Sequence, residues 1–210
     1  MLYWLTRMGF RLWCALHFNY ELDGWERIPT KGPAILVLNH PCAVDGVMMV
    51  GLIPRRIYAY VRADNLKNRL ANWYIRFMRM NPVTEGADNR SASARAEQAL
   101  RDGHLFGLFP EGTVSLVPTE PGPFRPGFMK LAVTTGAPVV PIVIVGTDRA
   151  MSNPRRPTTL QNLTMGRANV RISVLEPRTF VNPELDRDQF DRDVQAVRQL
   201  FVDRIAELTR

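Results

Sequence analysis

His40 and Asp45, set five positions apart, are a pair whose side chains would do chemistry if the chain brought them together. They bound the stretch Asn39-His40-Pro41-Cys42-Ala43-Val44-Asp45, which follows the apolar run Pro33-Ala-Ile-Leu-Val-Leu. On a regular helix that separation is roughly 500° of rotation, so the two side chains would not share a face. If His40 lies in a turn and Asp45 caps or opens the next helix, the bend brings imidazole and carboxylate together. The carboxylate then fixes the tautomer through one ring nitrogen and leaves the other as a base. The nearby helix N-terminus favours neutral imidazole, the form a general base needs. Taken alone, such a pair is more often a structural hydrogen bond than a catalytic dyad. The intervening Cys42 thiol offers a nucleophile as a further alternative.

Two more clusters have the same placement. Phe109-Pro110-Glu111-Gly112-Thr113-Val114-Ser115 puts an acid, a glycine and a hydroxyl residue behind Leu105–Leu108. Gly112 would let a ligand approach the backbone, and Glu111 could accept from a substrate hydroxyl. Val139-Val140-Pro141-Ile142-Val143 reads most simply as a core strand, with the proline at a position suited to an edge.

The elements that must position these groups alternate along the chain. Apolar periodicity predicts strands near 20–25, 33–39, 57–61, 105–109, 138–145 and 169–175, and helices over 1–17, from Asp45 onward, and over 66–80, 91–102, 127–135 and 187–208. Gly103 has the character of a C-cap. Residues 110–126 form a proline- and glycine-rich loop, and Met151 to Arg167 reads as an excursion. This order implies an α/β domain with a mixed, largely parallel sheet covered by helices, and sites at the ends of its strands. The expected division is an amphipathic N-terminal helix over 1–18 and one domain over 19–210.

Composition narrows the function classes. Hydrophobic residues at 46% and charged residues at 22% describe a globular chain and exclude a largely disordered one. Two cysteines are too few for a disulfide scaffold or a cysteine zinc site. No apolar run reaches the ~18 residues of a spanning helix, and Arg7 and Arg11 interrupt the N-terminal stretch where a signal peptide would be unbroken. The net charge is +7, and seven basic residues against one acid lie between Arg55 and Arg79. That segment would attract an anionic lipid surface or another polyanion, although no nucleic-acid-binding motif accompanies it.

Together, His-x4-Asp at 40–45, Phe-Pro-Glu-Gly-Thr at 109–113, Phe124-Arg125-Pro126-Gly127 and Val-Pro-Ile at 140–142 resemble the glycerolipid acyltransferase family, that of 1-acyl-glycerol-3-phosphate acyltransferases. The resemblance covers roughly residues 20–175. It implies an O-acyltransferase of phospholipid biosynthesis, with acyl-CoA or acyl carrier protein as donor substrate and a lysolipid hydroxyl, first of all that of 1-acyl-glycerol-3-phosphate, as acceptor. No resident cofactor or metal is implied. His40 becomes the base and Asp45 its orienting partner, while Glu111, Gly112, Thr113 and Pro141 match substrate-binding blocks. The family's acceptor block continues with arginine where this chain has Val114, and another block ends in arginine where this chain has Glu85. Either Arg62, Lys67, Arg125 or Lys130 takes over the acceptor phosphate, or the acceptor is a lipid without a phosphomonoester.

Such substrates reside in bilayers. The resemblance therefore implies docking at the cytoplasmic membrane face, with Tyr3, Trp4, Phe10 and Trp13 of the first helix as interfacial residues and Trp73, Tyr74 and Phe77 assisting. Its partners are the thioester donor, an acyl carrier protein among them, the lysolipid and an anionic membrane, with no nucleic acid. A non-catalytic protein binding acidic lipid is the alternative from another class.

Overall fold

The computed structural model describes residues 2–67, 69–150, 167–182 and 186–210. The excursion expected from Met151 lies outside the described residues, apart from Arg167 at its end. In chain order the elements are α1 (Leu2–His17), β1 (Phe18–Asp23), β2 (Ala34–Leu38), α2 (Asp45–Leu52), β3 (Ile57–Arg62), α3 (Arg69–Phe77), β4 (Asn81–Val83), α4 (Arg90–Arg101), β5 (Leu105–Leu108), α5 (Gly127–Thr135), β6 (Val139–Val145), β7 (Ala168–Val174) and α6 (Arg187–Thr209).

The strands form one sheet in the order β1-β7-β6-β2-β5-β3-β4. From β6 to β4 every neighbouring pair is parallel, whereas β7 runs antiparallel to β6 and carries β1 parallel to itself. The five parallel strands therefore deliver their C-terminal ends to a single rim. Because β2 is buried on both sides, its residues are apolar throughout and divide by parity. Leu36 and Leu38 join Met48, Met49 and Leu52 of α2 on one face. Ile35 and Val37 join α4, α5 and α6 on the other, through Leu100, Phe128 and Phe201. Each fully buried phenylalanine there contributes about 1.5–3 kcal/mol.

The N-terminal helix packs inward with one stripe and leaves another exposed. Tyr3 and Cys14 are buried, and the backbone of Phe10 and Arg11 lies so close to α2 that a Cβ on Gly51 would stand 3.0 Å from it. Arg7 closes the end of α2 by donating from Nε to the Ile53 carbonyl at 2.8 Å, where the helix leaves carbonyls without partners. Leu5, Met8, Leu12 and Leu16 are 49–62% exposed on the opposite stripe.

Three expectations are corrected. β6 is interior, flanked by β2 and β7, so Pro141 is not at an edge; it pairs with Val37 of β2, and the ladder to β7 begins only after it, at Ile142. The helix expected to run to Met80 ends at Phe77, because Arg79 adopts φ 55° and the Met80 amide donates back to the Ile75 carbonyl. This six-to-one closure usually uses glycine, so the sequence carries no stop signal. The chain leaves it directly into β4, a short strand that the sequence reading does not contain and that Pro82 disguises.

Candidate active site

His40 follows β2 by two residues, and Asp45 is the first residue of α2, so the bend that the chemistry required is present. His40 Nδ1 is 2.9 Å from Asp45 Oδ2, and the same oxygen accepts from the Cys42 amide at 2.8 Å. The carboxylate is fully buried, while the imidazole is 16% exposed. Nδ1 thus carries its proton toward Asp45, and among the described residues no hydrogen bond occupies Nε2. Asp45 Oδ1 is buried with no hydrogen-bond partner among the described residues. Asp148, just beyond β6, has its carboxyl pushed up by burial, with the charge of Asp45 adding to the effect.

Glu111 serves this arrangement from within the fold. It is 7% exposed, and its carboxylate accepts from the His40 amide at 2.9 Å, the Ser115 hydroxyl at 2.7 Å and the Gly122 amide at 2.9 Å. Where a substrate hydroxyl was expected, the Glu111 oxygens meet donors of the protein itself and tie the His40 turn to the loop beyond β5. A second strap runs beside it, from the Ser115 amide to the His40 carbonyl at 2.8 Å.

Two members of these clusters to which the sequence assigned no role, Phe109 and Asn39, complete the support. Phe109 stacks on the His40 ring, with centroids 3.9 Å apart and planes at 14°. Asn39 donates to the Ile144 carbonyl and accepts from its amide, both at 2.8 Å, fastening the turn to β6. Only its place beside His40 pointed to Asn39; its partner lies far along the chain. Cys42 is fully buried and its thiol is pushed up to about 12 by that burial, so it stays protonated and does not act as a nucleophile.

The other nominated residues separate into those at the rim and those away from it. Gly112 adopts φ 74°, and a Cβ there would lie 2.9 Å from the Arg125 guanidinium carbon, so Arg125 rests against the bare backbone of this loop. Arg125 is also ion-paired with Glu85, which follows β4. Arg62 and Lys67 both contact Asp64, at 3.2 and 3.1 Å. Thr113 is exposed on the same loop as Gly112. Lys130 is exposed on α5, with no hydrogen bond or ion pair to this cluster among the described residues, and Pro141 is buried within β6. Two of the seven clustered basic residues have structural duties: Arg55 donates to the carbonyls of Pro29, Gly32 and Gly103, and Arg56 lies over the rings of Tyr3 and Tyr58.

The chain is similar to several known acyltransferases. The 1-acyl-sn-glycerol-3-phosphate acyltransferase BAT2 of Brassica napus chloroplasts is 26% identical over 176 residues, covering 80% of this chain and 48% of that protein. A 1-acyl-sn-glycerol-3-phosphate acyltransferase of Borreliella burgdorferi is 26% identical over 139 residues, covering 65% and 55%. The chain spans about half the length of the curated relatives it matches. The crystal structure of the 1-acyl-sn-glycerophosphate acyltransferase PlsC from Thermotoga maritima superimposes with a TM-score of 0.73 at 26% identity, covering 97% of this chain and 78% of that one. A family model described as Acyltransferase matches residues 19–145, which take in the His40–Asp45 turn, the Glu111 loop and the strands beneath them. The chain belongs to the Acyltransferase family.

Proposed function

We propose that the protein transfers a fatty acyl group from an acyl thioester to a free hydroxyl of a lysolipid, within the glycerolipid class named for its relatives. The observation that carries this reading is the 2.9 Å contact between His40 Nδ1 and a fully buried Asp45, with Nε2 left unoccupied among the described residues. Nε2 takes the proton of the acceptor hydroxyl as its oxygen attacks the thioester carbonyl. The tetrahedral intermediate collapses, the carbon–sulfur bond breaks, and the imidazolium returns the proton to the departing thiolate. Asp45 stabilises the imidazolium between these steps. No covalent acyl-enzyme is needed, because the substrate's hydroxyl occupies the nucleophile's place. A placed base supplies ~10²–10⁴ in rate, and juxtaposing the two substrates supplies much of the rest. The test is incubation of the pure protein with labelled acyl-CoA and a lysolipid panel, with product identification by mass spectrometry. One diacyl lipid should form per thiol released; thiol release with free fatty acid as the sole product would mean hydrolysis and defeat this reading.

Docking to the cytoplasmic face of an anionic membrane forms part of the proposal. No helix among the described residues is long and apolar enough to cross a membrane. The outward stripe of α1 and the 56% exposed Trp73 of α3 offer apolar contact, and Phe10 stands against Tyr74 where the two helices meet. Trp4 is exposed and available to such a surface, but Tyr3 turns into the core and Trp13 packs against Phe18. Arg69 and Arg76 are exposed on α3 and suit anionic lipid or the acidic surface of an acyl carrier protein. Changing Leu5, Met8 and Leu12 together to serine should lower co-sedimentation with anionic vesicles roughly tenfold or more without unfolding the protein, because these side chains are already in solvent. Unchanged sedimentation would remove α1 from the docking surface.

A further inference from the structure

Beyond His40, the rim carries an order of charge that the acyl-transfer step does not use. Crossing the sheet from β2 through β5 and β3 to β4, the chain presents the imidazole, then Gly112 with the Arg125 guanidinium against it, then Glu85. Arg125 is paired with Glu85, and Arg62 at the end of β3 also acts on that carboxylate, which Arg125 chiefly holds below the usual carboxylate range. Three strand spacings separate β2 from β4, roughly 14 Å, which an extended acceptor covers from reacting oxygen to ammonium with a hydrogen bond of about 2.9 Å at each end.

The sign of each position matters. Each of the nominated rim cations Arg62, Lys67 and Arg125 already has a carboxylate beside it, Asp64 for the first two and Glu85 for the third. A phosphate monoester seated on Arg125 would face Glu85 as a like charge. A phosphodiester carrying an ammonium meets the opposite situation. In a lysophospholipid the phosphate lies a few bonds beyond the reacting hydroxyl, and the free amine of an amino alcohol esterified to it lies further out. With the hydroxyl at His40, the phosphate would reach Arg125 and the ammonium Glu85, in the order the rim provides. The Arg125–Glu85 pair is 54% and 58% exposed, so it gains little in water and opens readily to a ligand that satisfies both ends.

We propose that the Arg125–Glu85 pair reads the head group, and that the preferred acceptor is a zwitterionic lysophospholipid whose phosphodiester takes Arg125 and whose primary ammonium takes Glu85. This rests on the acyl-transfer reading and adds the acceptor class to it. The experiment uses the full chain with one acyl-CoA and three acceptors of matched chain in the same mixed micelles: lysophosphatidate, lysophosphatidylglycerol and lysophosphatidylethanolamine. The ethanolamine acceptor should show the highest kcat/KM, roughly tenfold above lysophosphatidate. Glu85→Gln should erase most of that ratio, and Glu85→Arg should invert it. The glycerol head group presents the phosphodiester without the ammonium and should not share the preference. Highest kcat/KM for lysophosphatidate, equal use of the glycerol and ethanolamine acceptors, or an equal fall with all three on changing Glu85 overturns the proposal while leaving acyl transfer standing. No acylated product from any acceptor, with acyl-CoA or with acyl carrier protein as the donor, overturns the acyl-transfer reading, and this one with it.

Discussion

Replacing His40 with alanine is expected to lower acyl transfer by roughly 10³-fold or more, since the variant loses both the proton acceptor and the proton donor to the leaving thiolate. Asp45→Asn should cost less, and the Cys42 amide is the reason. That N–H and the imidazole Nδ1 share one carboxylate oxygen, at 2.8 and 2.9 Å. The asparagine carbonyl must occupy that position to satisfy the buried amide, which turns its NH2 toward the unpartnered side of the carboxylate site. The imidazole therefore keeps its tautomer and loses only the negative charge that stabilises imidazolium, a loss expected to be about 10–10²-fold. Adding Asp45→Asn to His40→Ala should reduce the rate little further, because the aspartate acts through the histidine. Steady-state kinetics of the three variants with one acyl-CoA and one lysolipid checks this. An Asp45→Asn enzyme as impaired as His40→Ala would mean that the tautomer is lost as well. An active His40→Ala enzyme would remove the imidazole from the mechanism.

The pairing of His40 with Asp45 was legible because it depends on a local bend: a turn residue and a first-turn acid five positions apart have few other ways to meet. The alternation of strands and helices was legible for a similar reason, since β2 and β6 are short apolar runs and Gly103, with φ 80°, closes off α4 just past its end. Features set by distant neighbours were not legible. The direction of β7 follows from its pairing with β6, which no residue of either strand announces. α1 lays its backbone against Gly51 of α2, a contact that its aromatic content does not announce, and Tyr3 is buried while Met8 is not. Val114 and Glu85 were visible as departures from the family pattern, but only the fold shows that Glu85 meets Arg125 across the rim.

Glu111→Gln is the second substitution expected to have a large effect, and its geometry specifies how. The carboxylate meets three donors and no acceptor is required of them: the His40 amide at one oxygen, the Ser115 hydroxyl and the Gly122 amide at the other. Glutamine offers one carbonyl and one NH2, so one backbone N–H must face another donor. With the carbonyl toward Ser115 and Gly122, the NH2 confronts the His40 amide and pushes on the turn that carries His40. With the carbonyl toward His40, the NH2 can donate to the Ser115 hydroxyl, and the Gly122 amide is left unsatisfied. Either arrangement should lower stability by about 1–3 kcal/mol, the cost of one buried unpaired donor. Their kinetic signatures differ: the first moves the base and lowers kcat at least tenfold, whereas the second spares the turn and disturbs the loop that carries Arg125. Denaturant unfolding and the split between kcat and KM together identify which occurs. A variant with wild-type stability and kinetics would show that Glu111 does not hold His40 in place.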